Sequence, residues 1–509
     1  PRLVCDPRHL GSALGPGARS ILRLVHFTDF QIADVQSPGR FEFFQVLIGR
    51  EGAGTFVPAQ RPQEALAAHA VEMMIRTVGR LGDGAETGAP VGLVLATGDS
   101  IDNAQANELA MFVSLLGGGE VNPGSGKPGY DGVQAAGWPS RLYWHPDPGE
   151  DDDFKTDFGY PEQPGLLEQA MAPFWASGLT VPWLSCFGNH DGLVLGTAIA
   201  TDGYRAAVVG ARKAVEPPEG PDLLSREDEL LSHPERFLAG TARTVVDDPA
   251  RQLVGRAEFV AAHLRAAGQP AGHGYSAENL RDQTAYAVHD EGDAIRIVLL
   301  DTTNLDGYHH GSLGRRQLAW LEERLAEVHS RFRAADGREV RTANRDRLVV
   351  LASHHGLATL TNARQDPAGT EDDQPRVLAE EVRSVLHRFA NVVLWLNGHR
   401  HLNAVVFWPS PYDKRAGIWE VSTAAMADWP CQARVVELVA GANGSLSVLS
   451  TMVDHDSAPD PEDAEGLARL AALHRELAAN VPWAGMVTHR AGTAADRNVE
   501  LVLPLPFGL

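Results

Sequence analysis

"VPWLSCFGNHDG" (residues 181–192) runs from an apolar stretch straight into Gly, Asn, His and Asp. Its first half, "VPWLSCF", has the length and apolar content of a buried strand. Asn189, His190 and Asp191 are a costly way to end one, because polar atoms carried inside need partners. Either they make a simple turn, to which Gly, Asn and Asp are suited, or they are there for chemistry. The rest of the chain repeats the arrangement. "ILRLVHF" (21–27) leads into "TDFQ", "VGLVLAT" (91–97) into "GDSIDN", "RLVVLAS" (347–353) into "HHG", and "NVVLWLN" (391–397) into "GHRH".

Strand-like runs alternating with helical patterns argue for α/β layers. Helical spacing marks 62–79, the stretch after "IRIVLLDT" (295–302) with Leu318, Leu321 and Leu325 on one face, and "AEGLARLAALHRELAA" (464–479). In an open α/β sheet the carboxyl ends of the strands face one crevice, so five polar clusters at strand ends can converge from distant parts of the sequence. Carboxylate, imidazole and amide oxygen together suit Mn, Fe, Co or Zn better than soft ions. Gly98 and Gly188 let the backbone turn sharply and approach closely. On an extended segment His399 and His401, two residues apart, point the same way.

"GDSID", "GNHD", "HHG" and "GHRH", in that order after an initial D-x-Q, resemble the motifs of the calcineurin-like metallophosphoesterase superfamily. "LLDTTNLDGYHHGSLGRRQLAWLEERL" (299–325) resembles its connecting segment, and the likeness covers about residues 21–450. The resemblance implies a four-layer αββα sandwich, two mixed β-sheets flanked by helices, with the site at the carboxyl ends of the strands. It implies a metal-dependent phosphoric ester hydrolase acting on a phosphomonoester or phosphodiester, with a metal-bridging hydroxide attacking phosphorus. Two divalent or mixed-valence ions are implied, Mn, Fe or Zn, with Mg or Co as further options. Asp29 and Gln31 fall where the first ion is held, Asp99 where both are bridged and Asn189 where the second is held, while His354 matches the lone metal-binding histidine of the fourth motif and His355 falls where variable residues stand. By the same carry-over His399 belongs to the second ion, His401 to the first, and His190 to the substrate phosphate and leaving oxygen. Asp102 and Asp191 fall where residues orient histidines. Gln31 departs from the usual histidine, and its neutral amide is a weaker ligand. Gly356 stands where Pro is commoner.

The chain has 509 residues, 66 acidic and 44 basic, for a net charge of −22. Such a field opposes nucleic acid and anionic membranes and requires a local positive feature for an anionic substrate. Three cysteines, Cys5, Cys186 and Cys431, exclude a disulfide-rich scaffold without fixing a compartment. No apolar run reaches membrane-span length. The chain opens on Pro rather than Met, as a processed or trimmed chain does, which leaves export with a lost signal open. The catalytic unit is expected over 1–460, with inserted regions about 104–180 and 201–283 that wall the pocket, and a C-terminal helix and strand (461–509) packed on the core. "GYHHG" (307–311) and "AGHGYS" (271–276) are secondary candidates for the pocket lining, and His26 reads as packed. Two other classes compete: a silent metal-binding or interaction protein on this fold, and a non-phosphate dinuclear metallohydrolase. The first is opposed by the presence of Asp99, His190 and both GHRH histidines, and the second by the lack of an H-x-H-x-D-H cluster.

Overall fold

The computed structural model describes residues 2–138, 140–365, 374–483 and 487–508. Two large mixed sheets form its centre. The first has seven strands in the order Leu3–Cys5, Val499–Pro504, Ser445–Asp454, Gln432–Ala440, Arg19–Phe27, Leu93–Ala96 and Trp183–Ser185. The second has six, in the order Ala404–Pro409, Gly417–Ser422, Val392–Asn397, Leu348–Ser353, Ile295–Leu300 and Ala287–Glu291. In each sheet the strands that precede the polar clusters run parallel, Arg19–Phe27 with Leu93–Ala96 and Trp183–Ser185, and Leu348–Ser353 with Val392–Asn397. All the clusters therefore emerge at one edge.

Period-two alternation gives the second sheet its two faces. Ile297, Leu299, Val350 and Leu394 enter the core shared with Leu24, Val94 and Val436 of the first sheet. Val298, Leu300, Val349 and Leu351 point the other way, onto Leu321 and Leu325 of helix Arg315–Ala326 and Val382 and Leu386 of helix Ala379–Leu386. Helices Ala67–Gly79 and Ala106–Gly117 bury Val71, Met74, Phe112 and Leu116 in the main core. The stretch from 104 thus opens with a core helix. Helix Gly466–Ala479 packs Ala471 against Ala70 and Met73. The strand Val499–Pro504 lies between Leu3–Cys5 and Ser445–Asp454, with Val499, Leu501 and Leu503 in the core. The C-terminal segment is part of the sheet rather than an addition to its outside. No helix among the described residues is long and apolar enough to cross a membrane.

Candidate metal centre

The residues singled out at the strand ends are brought together. Asp29, Asp99 and His354 are buried, and one ligand atom from each lies within 4.8 Å of the others. His354 Nδ1 meets the Thr97 carbonyl at 3.0 Å, which turns Nε2 toward Asp99 Oδ2 at 3.1 Å and Asp29 Oδ1 at 3.9 Å. His399 Nδ1 lies 3.3 Å from His354 Nε2, while His401 Nε2 lies 3.3 Å from Asp29 Oδ1. The two GHRH rings serve different ends of the cluster, but not by the expected route. The strand stops at Asn397, His399 and His401 take φ of 68° and 51°, and the Arg400 N–H donates to the Gly398 carbonyl in a tight turn. That backbone is not extended.

Left-handed φ recurs through the set, at 51° for Asp29, 43° for Gln31 and 48° for Asp99. Each such non-glycine residue costs on the order of 1–3 kcal/mol, and such strain gathers at functional sites. Gly98 turns the chain sharply, with φ of 87°. Gly188 serves close approach instead: a Cβ there would stand 2.3 Å from both Asp99 N and Asp99 Oδ1.

Two orphaned oxygens test whether a cation fits. Asn189 Nδ2 donates to the Gly196 carbonyl at 2.9 Å, which fixes the amide and leaves its buried Oδ1 without a hydrogen-bond partner. Gln31 Oε1 is also buried and, among the described residues, unpartnered. A buried acceptor left unsatisfied costs about 1–3 kcal/mol, and both residues line the cavity that also holds Asp99, His399 and His401, where bound cations would supply the missing partners. Burial alone would keep His354 neutral, but Asp99 and Asp29 outweigh it and raise the ring to about 9. Burial likewise raises Asp29, and His401 and His354 overcome that to hold it at about 2. The donor set therefore fits divalent ions.

Gln31 carries a prediction of its own. Gln31→Ala is expected to lower occupancy near Asp29 and His401 more than near Asn189, and Gln31→His to raise zinc affinity there, since imidazole is the stronger ligand. Anomalous diffraction at two metal edges on parent and variants would resolve each position. Unchanged occupancy in both variants would remove Gln31 from the ligand set.

A second layer surrounds these groups. The carboxylate of Asp428 accepts from His401 Nδ1 at 2.6 Å, Arg61 Nε at 3.0 Å and Arg490 Nη1 at 2.6 Å. Burial raises its pKa, and Arg61, Arg490 and His401 more than reverse this, holding it well below the carboxylate range. Asp428 fixes the His401 ring in the manner of carboxylate–histidine–metal sites. Sequence reasoning missed it, although it lies six residues past the end of the strand Gly417–Ser422. His190 Nδ1 donates to the backbone carbonyl of Asp102 at 2.5 Å. The Asp102 carboxylate is instead engaged by Arg40 Nη1 at 2.7 Å and stands 3.8 Å from His190 Nδ1. Asp191 orients backbone rather than a histidine, accepting from Gly188 N at 2.7 Å and Ile101 N at 3.1 Å.

Other histidines divide cleanly. Both ring nitrogens of His355 are taken, by Thr302 Oγ1 at 2.9 Å and the His309 carbonyl at 2.8 Å. His273 stacks on Trp183 with centroids 3.4 Å apart, and His26 bonds Thr97 and Thr423, so neither faces the site. His309 does line it. The cavity over the cluster, about 210 Å³, is walled by 54–59, Leu195, Thr197, His309, Arg61, Arg400 and Arg490. Among the described residues none of this wall comes from 104–180 or 201–283, which were expected to form it.

Distant likenesses are found among solved structures, and two illustrate them. A dimetal phosphatase from Danio rerio matches over 86% of this chain and 100% of its own, at 11% identity and a TM-score of 0.36. A purple acid phosphatase from yellow lupin (Lupinus luteus) seeds matches over 86% of this chain and 52% of its own, at 11% identity and a TM-score of 0.31. Both are phosphatases. No family model and no curated protein matches the sequence. At such TM-scores the weight rests on the site itself.

Proposed function

We propose that the chain is a calcineurin-like metallophosphoesterase that hydrolyses a phosphoester, monoester or diester, at a pair of divalent or mixed-valence ions. The observation that supports this is that Gln31 and Asn189, whose buried amide oxygens have no partner among the described residues, line one cavity with Asp99, His399 and His401 of the carboxylate and imidazole cluster. Asp29, Gln31, Asp99 and His401 would hold one ion, and Asp99, Asn189, His354 and His399 the other. Manganese, iron and zinc suit these donors best, with magnesium or cobalt as substitutes. When bound, such ions supply a nucleophile at neutral pH and neutralise phosphoryl charge.

The chain's own groups do the rest. Asp99 Oδ1 accepts from the His190 backbone N–H at 2.9 Å and so ties the donor residue to the cluster. The Asp102 carbonyl accepts a hydrogen bond from His190 Nδ1–H and leaves Nε2 for the leaving oxygen. A second proton on that ring can then pass from Nε2 to the departing alkoxide. Arg61, Arg400 and Arg490 line the cavity and give an acidic protein a locally positive entrance.

Metal analysis of the purified protein, beside assays on matched aryl phosphomonoester and phosphodiester substrates with added Mn, Fe, Zn or Mg, tests the proposal. About two ions per chain and metal-dependent turnover of at least one substrate are expected. A protein that retains no transition metal and hydrolyses neither substrate overturns it.

A further inference from the structure

We infer that the substrate carries a second anionic group beside its phosphoryl, and that Arg400 receives it. The inference rests on the phosphoesterase reading for the head group and concerns what is attached to it.

Three arginines line the cavity, and they differ in what they hold. Arg61 and Arg490 are both committed to Asp428, at 3.0 Å and 2.6 Å. Arg400 is exposed, and among the described residues its guanidinium makes no ion pair or hydrogen bond. It stands between His399 and His401, whose rings turn into the cluster, so the tight turn directs Arg400 to the mouth instead. Its charge acts on His310 and Glu420. Glu420 is not free to answer it: the carboxylate accepts from Trp408 Nε1 at 2.6 Å, Asn397 Nδ2 at 3.0 Å and Leu357 N at 3.0 Å.

The cavity therefore has a cluster suited to cations that capture a phosphoryl, and a separate guanidinium at its rim that makes no ion pair or hydrogen bond among the described residues. The same wall includes Phe56, Val57, Pro58 and Leu195, which suit a short carbon skeleton. A planar fork of N–H donors matches a carboxylate or phosphate best. The class that fits is a phosphoester whose organic part ends in a carboxylate or a second phosphate.

The competing role for Arg400 is a grip on the reacting phosphoryl itself, and matched ligands separate the two. Isothermal titration of propylphosphonate and phosphonopropionate, neither hydrolysable, into the manganese-loaded full chain compares equal head groups with and without a distal carboxylate. The parent is expected to prefer phosphonopropionate by about tenfold, a modest return for a charged hydrogen bond. Arg400→Met should bring that ratio close to one, and Arg400→Lys should keep part of it. An unchanged ratio in Arg400→Met, or an equal loss for both ligands, overturns the assignment. A parent that binds propylphosphonate without preferring phosphonopropionate loses the subsite but keeps the phosphoesterase reading. One that binds neither ligand loses both.

Discussion

Asp99→Asn is expected to strip the protein of both ions and to lower turnover by more than about 10³-fold. Losing a single preorganised electrostatic group costs about 10²–10³ in kcat, and Asp99 is the residue shared by both proposed positions. One oxygen of the asparagine can still accept from the His190 N–H, as Asp99 Oδ1 does at 2.9 Å. The amide nitrogen then faces His354 Nε2, 3.1 Å from the present Oδ2, where an acceptor is needed. The fold should survive. Burial and then the Asp99 charge hold the Asp191 pKa well above normal, so removing that charge relieves a buried carboxyl group. Metal content and kcat measured on one preparation give the answer, with circular dichroism as the control for folding. Full metal content with near-normal turnover would remove Asp99 from its bridging place.

His190→Ala is the second large effect, and it should differ in kind. The neighbouring Asn189 is the proposed ligand, and His190 keeps its ring outside the carboxylate cluster, held by the Asp102 carbonyl. Both ions should therefore remain. Proton transfer by a positioned side chain contributes about 10²- to 10⁴-fold. A loss in that range is expected for an alkyl ester, whose alkoxide needs a proton, and a much smaller one for a nitrophenyl ester. The slope of log kcat against leaving-group pKa should steepen in the variant. Loss of one ion with an unchanged slope would make His190 a ligand and not a donor.

The strands and the residues at their ends were legible because each is a short apolar run broken abruptly by Asp, Asn or His. Nothing comparable marks Asp428, which follows small and apolar residues in "TAAMADWP" (423–430). The segment that supplies Arg40, Arg61 and the wall at 54–59 was also opaque. It is built of short turns of helix at Glu42–Leu47, Ala53–Thr55 and Glu64–Leu66, which have no period to read. Its order comes from tertiary contacts, such as Phe41, Phe44 and Phe56 packing on Tyr204 and Phe237. The inserted regions misled for a related reason. Their Gly- and Pro-rich composition announces loop, but composition does not say which loop leans over the site. Gln31 and Asn189 were placed by position, yet only the bonds around them reveal which amide oxygens lack partners.

Pairing of Leu3 with Val499 sets a limit on how this protein reaches its native state. The strand Val499–Pro504 joins Leu3–Cys5 on one side and Ser445–Asp454 on the other. Contacts that far apart in sequence make folding slow, because loop closure must precede any gain from pairing. Until that strand docks, Ser445–Asp454 presents an open row of N–H and C=O groups, a template for pairing with another chain. Refolding yield should therefore fall steeply with protein concentration, and the hazard lies in the waiting time of one edge rather than in any weakness of the finished sheet.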